Sequence, residues 1–171
     1  RHLLQALTDD VTARATAAVV ADLYAGVGLF SLILAAQGRS VDAVEGDDWA
    51  AGDLQANAAP TGRVRVHHRP VEQFVQRTRL NDFGTIVVDP PRTGLSPIVS
   101  TALIGARVPR VVYVSCDPAT LARDARLFVD GRPVLEEWSE ASVARAASAR
   151  VRLEAGREHA LKLEYFEHQR D

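Results

Sequence analysis

The chain has 171 residues, a formal net charge of -2 and a single cysteine. Its length suffices for a full hydrophobic core, so we expect one domain over residues 1–171. The charge gives no overall basic signal for nucleic acid, and the lone cysteine excludes an internal disulfide and favours a reducing, cytoplasmic location. No apolar run could span a bilayer. Because the sequence lacks methionine and begins at Arg1, we expect a fragment without its N-terminal accessory part.

Strands and helices alternate along most of the chain. Short β-branched runs predict strands, and apolar residues three or four apart predict helices. The predicted helices are Leu3–Ala18, Ser31–Gln37, Asp48–Ala58, Val71–Leu80, Pro97–Ala106 and Pro118–Phe128, and the strands between them are Val19–Tyr24, Ser40–Val44, Arg63–His68, Thr85–Val88 and five residues from Val111. Such alternation predicts an α/β fold, with a mostly parallel sheet covered by helices on both faces.

Beyond Gly131 the pattern is less regular. It indicates a strand over Val134–Trp138 and an alanine-rich helix over Ala141–Ala149. Two further strands, Val151–Ala155 and His159–Phe166, are joined through Gly156 and predict an antiparallel C-terminal hairpin. An antiparallel pair at the edge of a parallel sheet is a common arrangement.

A glycine turn follows the first predicted strand. Gly26 and Gly28 provide either a tight strand-to-helix turn or a close backbone approach to a nucleotide-like ligand. Position 31 is Ser, where the dinucleotide fingerprint has its third glycine, which argues against a nicotinamide or flavin cofactor. Glu45 ends the second strand about 20 residues later, where an acidic residue accepts hydrogen bonds from ribose hydroxyls. An exposed turn glutamate is the alternative.

Two later strands are also followed by residues of types that take part in catalysis. Asp89 precedes two prolines and a glycine, so it is either a rigidly held acceptor or the cap of a stiff loop. Cys116 follows the strand from Val111, and Asp117 and Pro118 are a good N-cap and first helical residue. A helix N-terminus favours a nucleophilic thiolate, whereas the carboxylate of Asp117 disfavours it. A small buried thiol is the alternative.

The histidine pair at His67 and His68 suggests a metal site only superficially. No third ligand lies near the pair in the sequence, so we interpret both residues as polar side chains at a strand end and predict no metal.

Three motifs together resemble the catalytic domain of the S-adenosylmethionine-dependent RNA 5-methyluridine methyltransferases. They are Asp22-Leu23-Tyr24-Ala25-Gly26-Val27-Gly28-Leu29-Phe30-Ser31, Asp89-Pro90-Pro91-Arg92-Thr93-Gly94-Leu95 and Tyr113-Val114-Ser115-Cys116-Asp117-Pro118-Ala119-Thr120-Leu121-Ala122-Arg123-Asp124. The resemblance covers about residues 22–128 and implies a Rossmann-like methyltransferase fold, S-adenosylmethionine as cofactor and tRNA or rRNA as substrate.

The resemblance also implies roles for individual residues. Residues expected to bind the cofactor are Asp22, Tyr24, Gly26, Gly28, Glu45 and Asp89. Asp89 would lie between cofactor and target base, and Cys116 would be the nucleophile that adds to C6 of uracil so that C5 can take the methyl group. Relatives carry Asn where this chain has Asp117. The family string Asp-x-Phe-Pro-x-Thr-x-His-x-Glu is absent, so Glu158 is by position the candidate base for the C5 proton.

Two other functions remain open at this stage. A truncated or degenerate domain could bind cofactor or RNA without catalysis, as the missing C-terminal string suggests. A methyltransferase acting on an exocyclic amine would also suit Asp89-Pro90-Pro91, although such chemistry needs no thiol and leaves Cys116 unexplained.

Overall fold

The structure is a computed structural model that describes residues 2–106, 108–117, 120, 121 and 124. Five strands and five α-helices are found in this part of the chain, and we number each type in chain order. The elements are α1 His2–Arg14, β1 Val19–Leu23, α2 Leu29–Ala36, β2 Ser40–Glu45, α3 Asp48–Ala58, β3 Val64–His68, α4 Val71–Arg77, β4 Thr85–Val88, α5 Pro97–Ala106 and β5 Val111–Tyr113. The predicted alternation of strands and helices is thereby confirmed.

The five strands form one parallel sheet in the order β3-β2-β1-β4-β5. In the register, Leu23 at the end of β1 lies beside Val44 on one side and Val88 on the other, and Val88 lies beside Tyr113. The chain therefore adds β2 and then β3 on one side of β1, crosses back, and adds β4 and then β5 on the other side. In such doubly wound sheets the strand order reverses at a crevice along the carboxyl ends, here between β1 and β4, and ligands bind there.

Helices cover both faces of the sheet. On one face, Leu23, Ile86 and Val88 pack with Phe74 of α4 and Val99 of α5. On the other face, the alternate strand residues Val20, Val41 and Val87 pack with residues of α1 and α2, including Val11, Phe30 and Leu34. Because β4 is buried on both faces, all four of its residues are nearly inaccessible. This explains why β4 is an uninterrupted run of β-branched residues in the sequence.

Several predicted boundaries differ from those observed. Helix α1 ends at Arg14 rather than Ala18, and α4 ends at Arg77 rather than Leu80, where a short 3-10 turn begins. Strand β1 stops at Leu23 because Tyr24 adopts a left-handed conformation with φ of 64°, which no strand accommodates. Strand β5 ends at Tyr113, two residues earlier than predicted.

The C-terminal predictions lie outside the described residues. They include the strand Val134–Trp138, the helix Ala141–Ala149 and the antiparallel hairpin of Val151–Ala155 and His159–Phe166. Of the predicted helix Pro118–Phe128, the described residues Thr120, Leu121 and Asp124 are helical. Among the described helices, none has both the length and the apolar character needed to cross a membrane.

Candidate functional site

Four of the predicted site residues lie at the carboxyl edge of the sheet. Asp22 is the penultimate residue of β1 and Glu45 is the last residue of β2. Asp89 directly follows β4, and Cys116 comes three residues after β5. Because the strands are parallel and adjacent, residues that are far apart in the sequence share one edge. Glu158, the predicted base, lies outside the described residues.

The turn after β1 consists of closely spaced left-handed residues. Tyr24, Gly26 and Gly28 have φ angles of 64°, 55° and 99°. The Gly28 amide donates to the Ala25 carbonyl at 2.9 Å, and Gly28 caps α2 without any side-chain hydrogen bond. A Cβ atom placed on Gly26 would meet no heavy atom within 4 Å. The turn therefore leaves open space above Gly26 and an uncapped helix N-terminus, the features by which backbone approaches an anionic or nucleotide-like ligand.

Glu45 ties this turn to the start of α3. One of its carboxylate oxygens accepts from the Gly26 amide at 2.8 Å, and the other accepts from the Asp47 amide at 2.7 Å. Asp47 in turn caps α3 by accepting from the amides of Trp49 and Ala50. Since a carboxylate offers about four lone-pair sites, Glu45 keeps capacity for two further donors. The two vicinal hydroxyls of a ribose would supply two such donors.

Asp22 is the most unusual group at this edge because its carboxyl is completely buried. The Ser31 hydroxyl donates to Oδ2 at 2.5 Å, whereas Oδ1 has no hydrogen-bond partner within the described residues. Burial raises the pKa of Asp22 to about 7, an effect that Ser31 opposes and the charges of Asp89 and Glu45 reinforce. An unsatisfied buried acceptor is costly, so this site favours a donor or cation that would reach Oδ1.

The raised pKa makes the stability of the ligand-free protein depend on pH through Asp22. In the unfolded chain this carboxyl ionises near pH 4, but in the folded protein it ionises only near pH 7. The stabilisation is therefore complete below about pH 4 and is lost as the pH rises through about 7. We expect Asp22→Asn to remove this loss, so that the variant gains about 2–3 kcal/mol relative to wild type between pH 5 and pH 8.

Chemical denaturation of both proteins at pH 5 and at pH 8 measures this difference in stability. The matched control is Asp53→Asn, because Asp53 is exposed on α3 and should leave the pH profile unchanged. If both substitutions changed the profile equally, the assignment of the pH dependence to Asp22 would be wrong.

Backbone hydrogen bonds fix the position of Asp89 and of the loop that follows it. The Asp89 amide donates to the Leu23 carbonyl at 3.2 Å, which extends the β1–β4 pairing by one residue, and the Gly94 amide closes the following turn onto the Pro91 carbonyl at 2.8 Å. Desolvation raises the pKa of the Asp89 carboxyl. A hydrogen-bonded turn therefore follows Asp89, as the two prolines and the glycine predict.

Cys116 is exposed at the same edge, so the alternative of a small buried thiol is wrong. The Ser115 hydroxyl accepts from the Asp117 amide at 3.1 Å, and Asp117 Oδ1 accepts from the Thr120 amide at 3.0 Å. Asp117 therefore caps the helix that follows, as predicted. This turn presents the thiol to solvent immediately before a helix N-terminus.

Two buried polar residues, Ser31 and Asp124, were not among the predicted site residues. Ser31 is completely buried and is the donor to Asp22. Asp124 is also completely buried and accepts from the Leu95 amide and the Tyr113 hydroxyl. For Asp124 the sequence does contain a signal. It is a charged residue three positions after the apolar Leu121, on the face that the predicted helix turns toward the core.

The histidines do not form a shared site. His67 pairs with Asp42 at 2.5 Å, whereas His68, the next strand residue, pairs with Asp48 at 3.0 Å. Within the described part of the chain, no group of three His, Cys, Asp or Glu residues could hold a metal ion.

A doubly wound parallel sheet, with a glycine turn after its first strand and an acidic residue ending the second, is typical of Rossmann-like nucleotide-binding folds, which include the methyltransferases. The chain belongs to the tRNA (uracil-5-)-methyltransferase family, whose family model matches residues 3–134. A second model, that of the PA14 domain, matches residues 119–171, which is less than half of the chain.

Known proteins give the same assignment. The chain is 42% identical over 115 residues to an RNA methyltransferase of Streptomyces coelicolor, covering 64% of this chain and 25% of that protein. It is 40% identical over 129 residues to the 23S rRNA (uracil(1939)-C(5))-methyltransferase of Halomonas elongata, covering 72% and 26%. The chain thus spans about a quarter of the length of these relatives.

A solved structure gives the corresponding comparison of folds. It is that of Pyrococcus abyssi tRNA (uracil-54, C5)-methyltransferase in complex with S-adenosyl-L-homocysteine. The TM-score is 0.65 and the identity 28%, over 74% of this chain and 32% of that one. The Rossmann-like fold expected from the motifs is thereby confirmed.

Proposed function

We propose that this chain is the catalytic domain of an enzyme that transfers a methyl group from S-adenosylmethionine to C5 of a uridine in tRNA or rRNA. The observation that carries the proposal is the exposed thiol of Cys116 at the sheet edge that also holds the glycine turn and Glu45. Family membership supports the class of reaction, and the position of Cys116 at the same sheet edge as the glycine turn supports it as the nucleophile. The single domain over residues 1–171 and a cytoplasmic location belong to the same proposal.

The described residues fit S-adenosylmethionine. Open space above Gly26 accommodates a ligand against the backbone, and Glu45 has lone pairs left for the ribose hydroxyls. The unpartnered Oδ1 of Asp22 suits the positively charged methionine end, with Tyr24 and Gly28 forming the rest of the turn. When bound, this cofactor supplies an electrophilic methyl group on a sulfonium sulfur.

The role of Cys116 follows from the weak nucleophilicity of uracil C5. Its thiolate adds to C6, forming an S–C6 bond and moving the C5–C6 π electrons onto the C4 carbonyl oxygen as an enolate. With the cofactor bound, the enolate would let C5 attack the sulfonium methyl carbon, and the S–CH3 bond would break with its electron pair staying on sulfur. A base then removes the C5 proton, the C5–C6 double bond re-forms, and the S–C6 bond breaks to release the thiolate.

Two carboxylates complete the proposed site. Asp89 follows the strand next to β5, so we assign it a place between the cofactor and the target base. Glu158 is our candidate for the base that takes the C5 proton. The target base must leave its stack to reach the thiol, as in other enzymes that modify bases.

Nucleoside analysis tests the proposed reaction. RNA transcribed without modification is incubated with the protein and S-adenosylmethionine, digested to nucleosides and examined by mass spectrometry. We expect 5-methyluridine that is absent when the cofactor is omitted. A nucleoside methylated on an exocyclic nitrogen would indicate an amine acceptor, and cofactor binding without any methylated product would indicate a non-catalytic domain; either result would refute the proposal.

A further inference from the structure

Asp124 is an acidic residue whose side chain is completely buried. It lies in the helix that begins after Cys116, four residues beyond Thr120, whose amide is capped by Asp117. Buried carboxylates persist only where hydrogen bonds compensate for the lost hydration. The partners of Asp124 therefore indicate why a carboxylate occupies this position.

The first partner lies in the loop that carries Asp89. The Leu95 amide donates to Asp124 Oδ2 at 2.7 Å, and the Leu95 side chain is buried in the core. Just before it, Gly94 has φ of 75° and closes a turn onto Pro91. The loop is thus fixed at one end by β4 and at the other by Asp124.

The second partner lies in the strand that leads to Cys116. The Tyr113 hydroxyl donates to the same oxygen of Asp124 at 2.6 Å. Tyr113 is the last residue of β5, and the Val114 amide still pairs with the Val88 carbonyl at 2.8 Å. A single carboxylate oxygen therefore joins the loop after β4, the end of β5 and the helix after Cys116.

The charge of Asp124 also acts on the glycine turn after β1, through Tyr24. Burial, followed by the charges of Glu72 and Asp124, raises the pKa of Tyr24. Tyr24 is the left-handed residue that opens the glycine turn. The charge of Asp124 thus also acts on the residue that opens the proposed cofactor cradle.

We propose that Asp124 is a positioning residue for methyl transfer, holding Asp89 and Cys116 in a fixed relation through its bonds to Leu95 and Tyr113. This inference rests on the proposed function and adds a residue that acts through the loop and the strand rather than by touching the substrate. A carboxylate suits the task because one oxygen accepts two short charge-assisted bonds at once. Misplacement of reacting groups by about 1 Å can cost about 10²-fold in rate.

The test introduces Tyr113→Phe and Asp124→Asn into the 171-residue chain and measures methyl transfer with S-adenosylmethionine and saturating RNA. Tyr113→Phe removes one tether and should lower kcat about tenfold, and Asp124→Asn, which weakens both, should lower it up to about 10²-fold. Cofactor Kd should change much less than kcat, because Gly26, Gly28 and Glu45 form most of the proposed cradle and neither substituted residue is one of them. Asp53→Asn, on the exposed face of α3, is the control for the loss of a carboxylate.

Thermal unfolding and cysteine alkylation separate positioning from mere stabilisation. A structural role alone would lower Tm but leave kcat unchanged at a temperature where every variant is folded, and that result would overturn the inference. The rate at which iodoacetamide alkylates Cys116 should also change in both variants and not in the control. An active wild type with fully active variants refutes only the role of Asp124, whereas an inactive wild type refutes the proposed function itself.

Discussion

Replacing Cys116 with alanine should abolish methyl transfer while leaving cofactor binding intact. Without the thiolate no C6 adduct forms, and C5 of uracil stays too weak a nucleophile to take the methyl group. Loss of a catalytic nucleophile typically costs on the order of 10⁴-fold or more in kcat. Because Cys116 is exposed, the substitution should leave stability nearly unchanged. Methyl incorporation into RNA and calorimetric titration of S-adenosylmethionine measure the two effects.

A trapping experiment identifies the nucleophile directly. RNA containing 5-fluorouridine is incubated with the protein and S-adenosylmethionine. After methyl transfer C5 carries fluorine where a proton would be removed, so the wild-type adduct should persist and map to Cys116 by peptide mass spectrometry. Cys116→Ser, which keeps a smaller and poorer nucleophile, should form little or no adduct. Methylation that survives in Cys116→Ala would show that another group attacks C6 or that no covalent adduct is needed.

The glycine turn should respond differently at its two glycines. Gly26→Ala places a methyl group in open space, so its cost to stability is the left-handed strain of about 1–2 kcal/mol. That methyl group would occupy the proposed cradle and should weaken S-adenosylmethionine binding on the order of a hundredfold, or about 2.7 kcal/mol. A Cβ on Gly28 would lie 2.7 Å from Leu54 Cδ1, and Leu54 is completely buried. We therefore expect Gly28→Ala to lose about 3 kcal/mol or more of stability.

Gly38→Ala is the matched control for Gly26→Ala. Gly38 also has positive φ, of 90°, and open space at its Cβ position, but it lies at the opposite end of α2. Both variants should lose similar stability in chemical denaturation, and only Gly26→Ala should bind the cofactor more weakly. Equal cofactor affinities in the two variants would place the ligand away from Gly26.

The strands and the carboxyl-edge residues could be predicted because their signals are local. The run Thr85–Val88 is buried on both faces and has no polar interruption, and Asp47 and Asp117 are good N-caps followed by helical sequence. Once the strands are known to be parallel, the residues that follow them must share an edge. That reasoning placed Asp89 and Cys116 together, although 27 positions separate them in the printed sequence.

Long-range polar contacts could not be predicted, because no local pattern encodes them. The bond from Leu95 to Asp124 spans 29 residues, and Gly26 meets Glu45 across 19. The missing partner of Asp22 Oδ1 and the left-handed backbone of Tyr24 also appear only in three dimensions. The predicted ends of α1 and α4 lie beyond Arg14 and Arg77 because apolar residues at helical spacing continue past both positions in the sequence.

The reversal of strand order at β1 divides the proposed chemistry between two halves of the sheet. The proposed glycine-turn cradle belongs to β1, β2 and the turns after them, whereas the proposed nucleophile follows β5. The two halves share one core, since β1 pairs with β4 and Leu23 packs with Ile86. A protein engineer who wanted a different acceptor atom would therefore change the loops after β4 and β5, and leave the strands and the turn after β1 as they are.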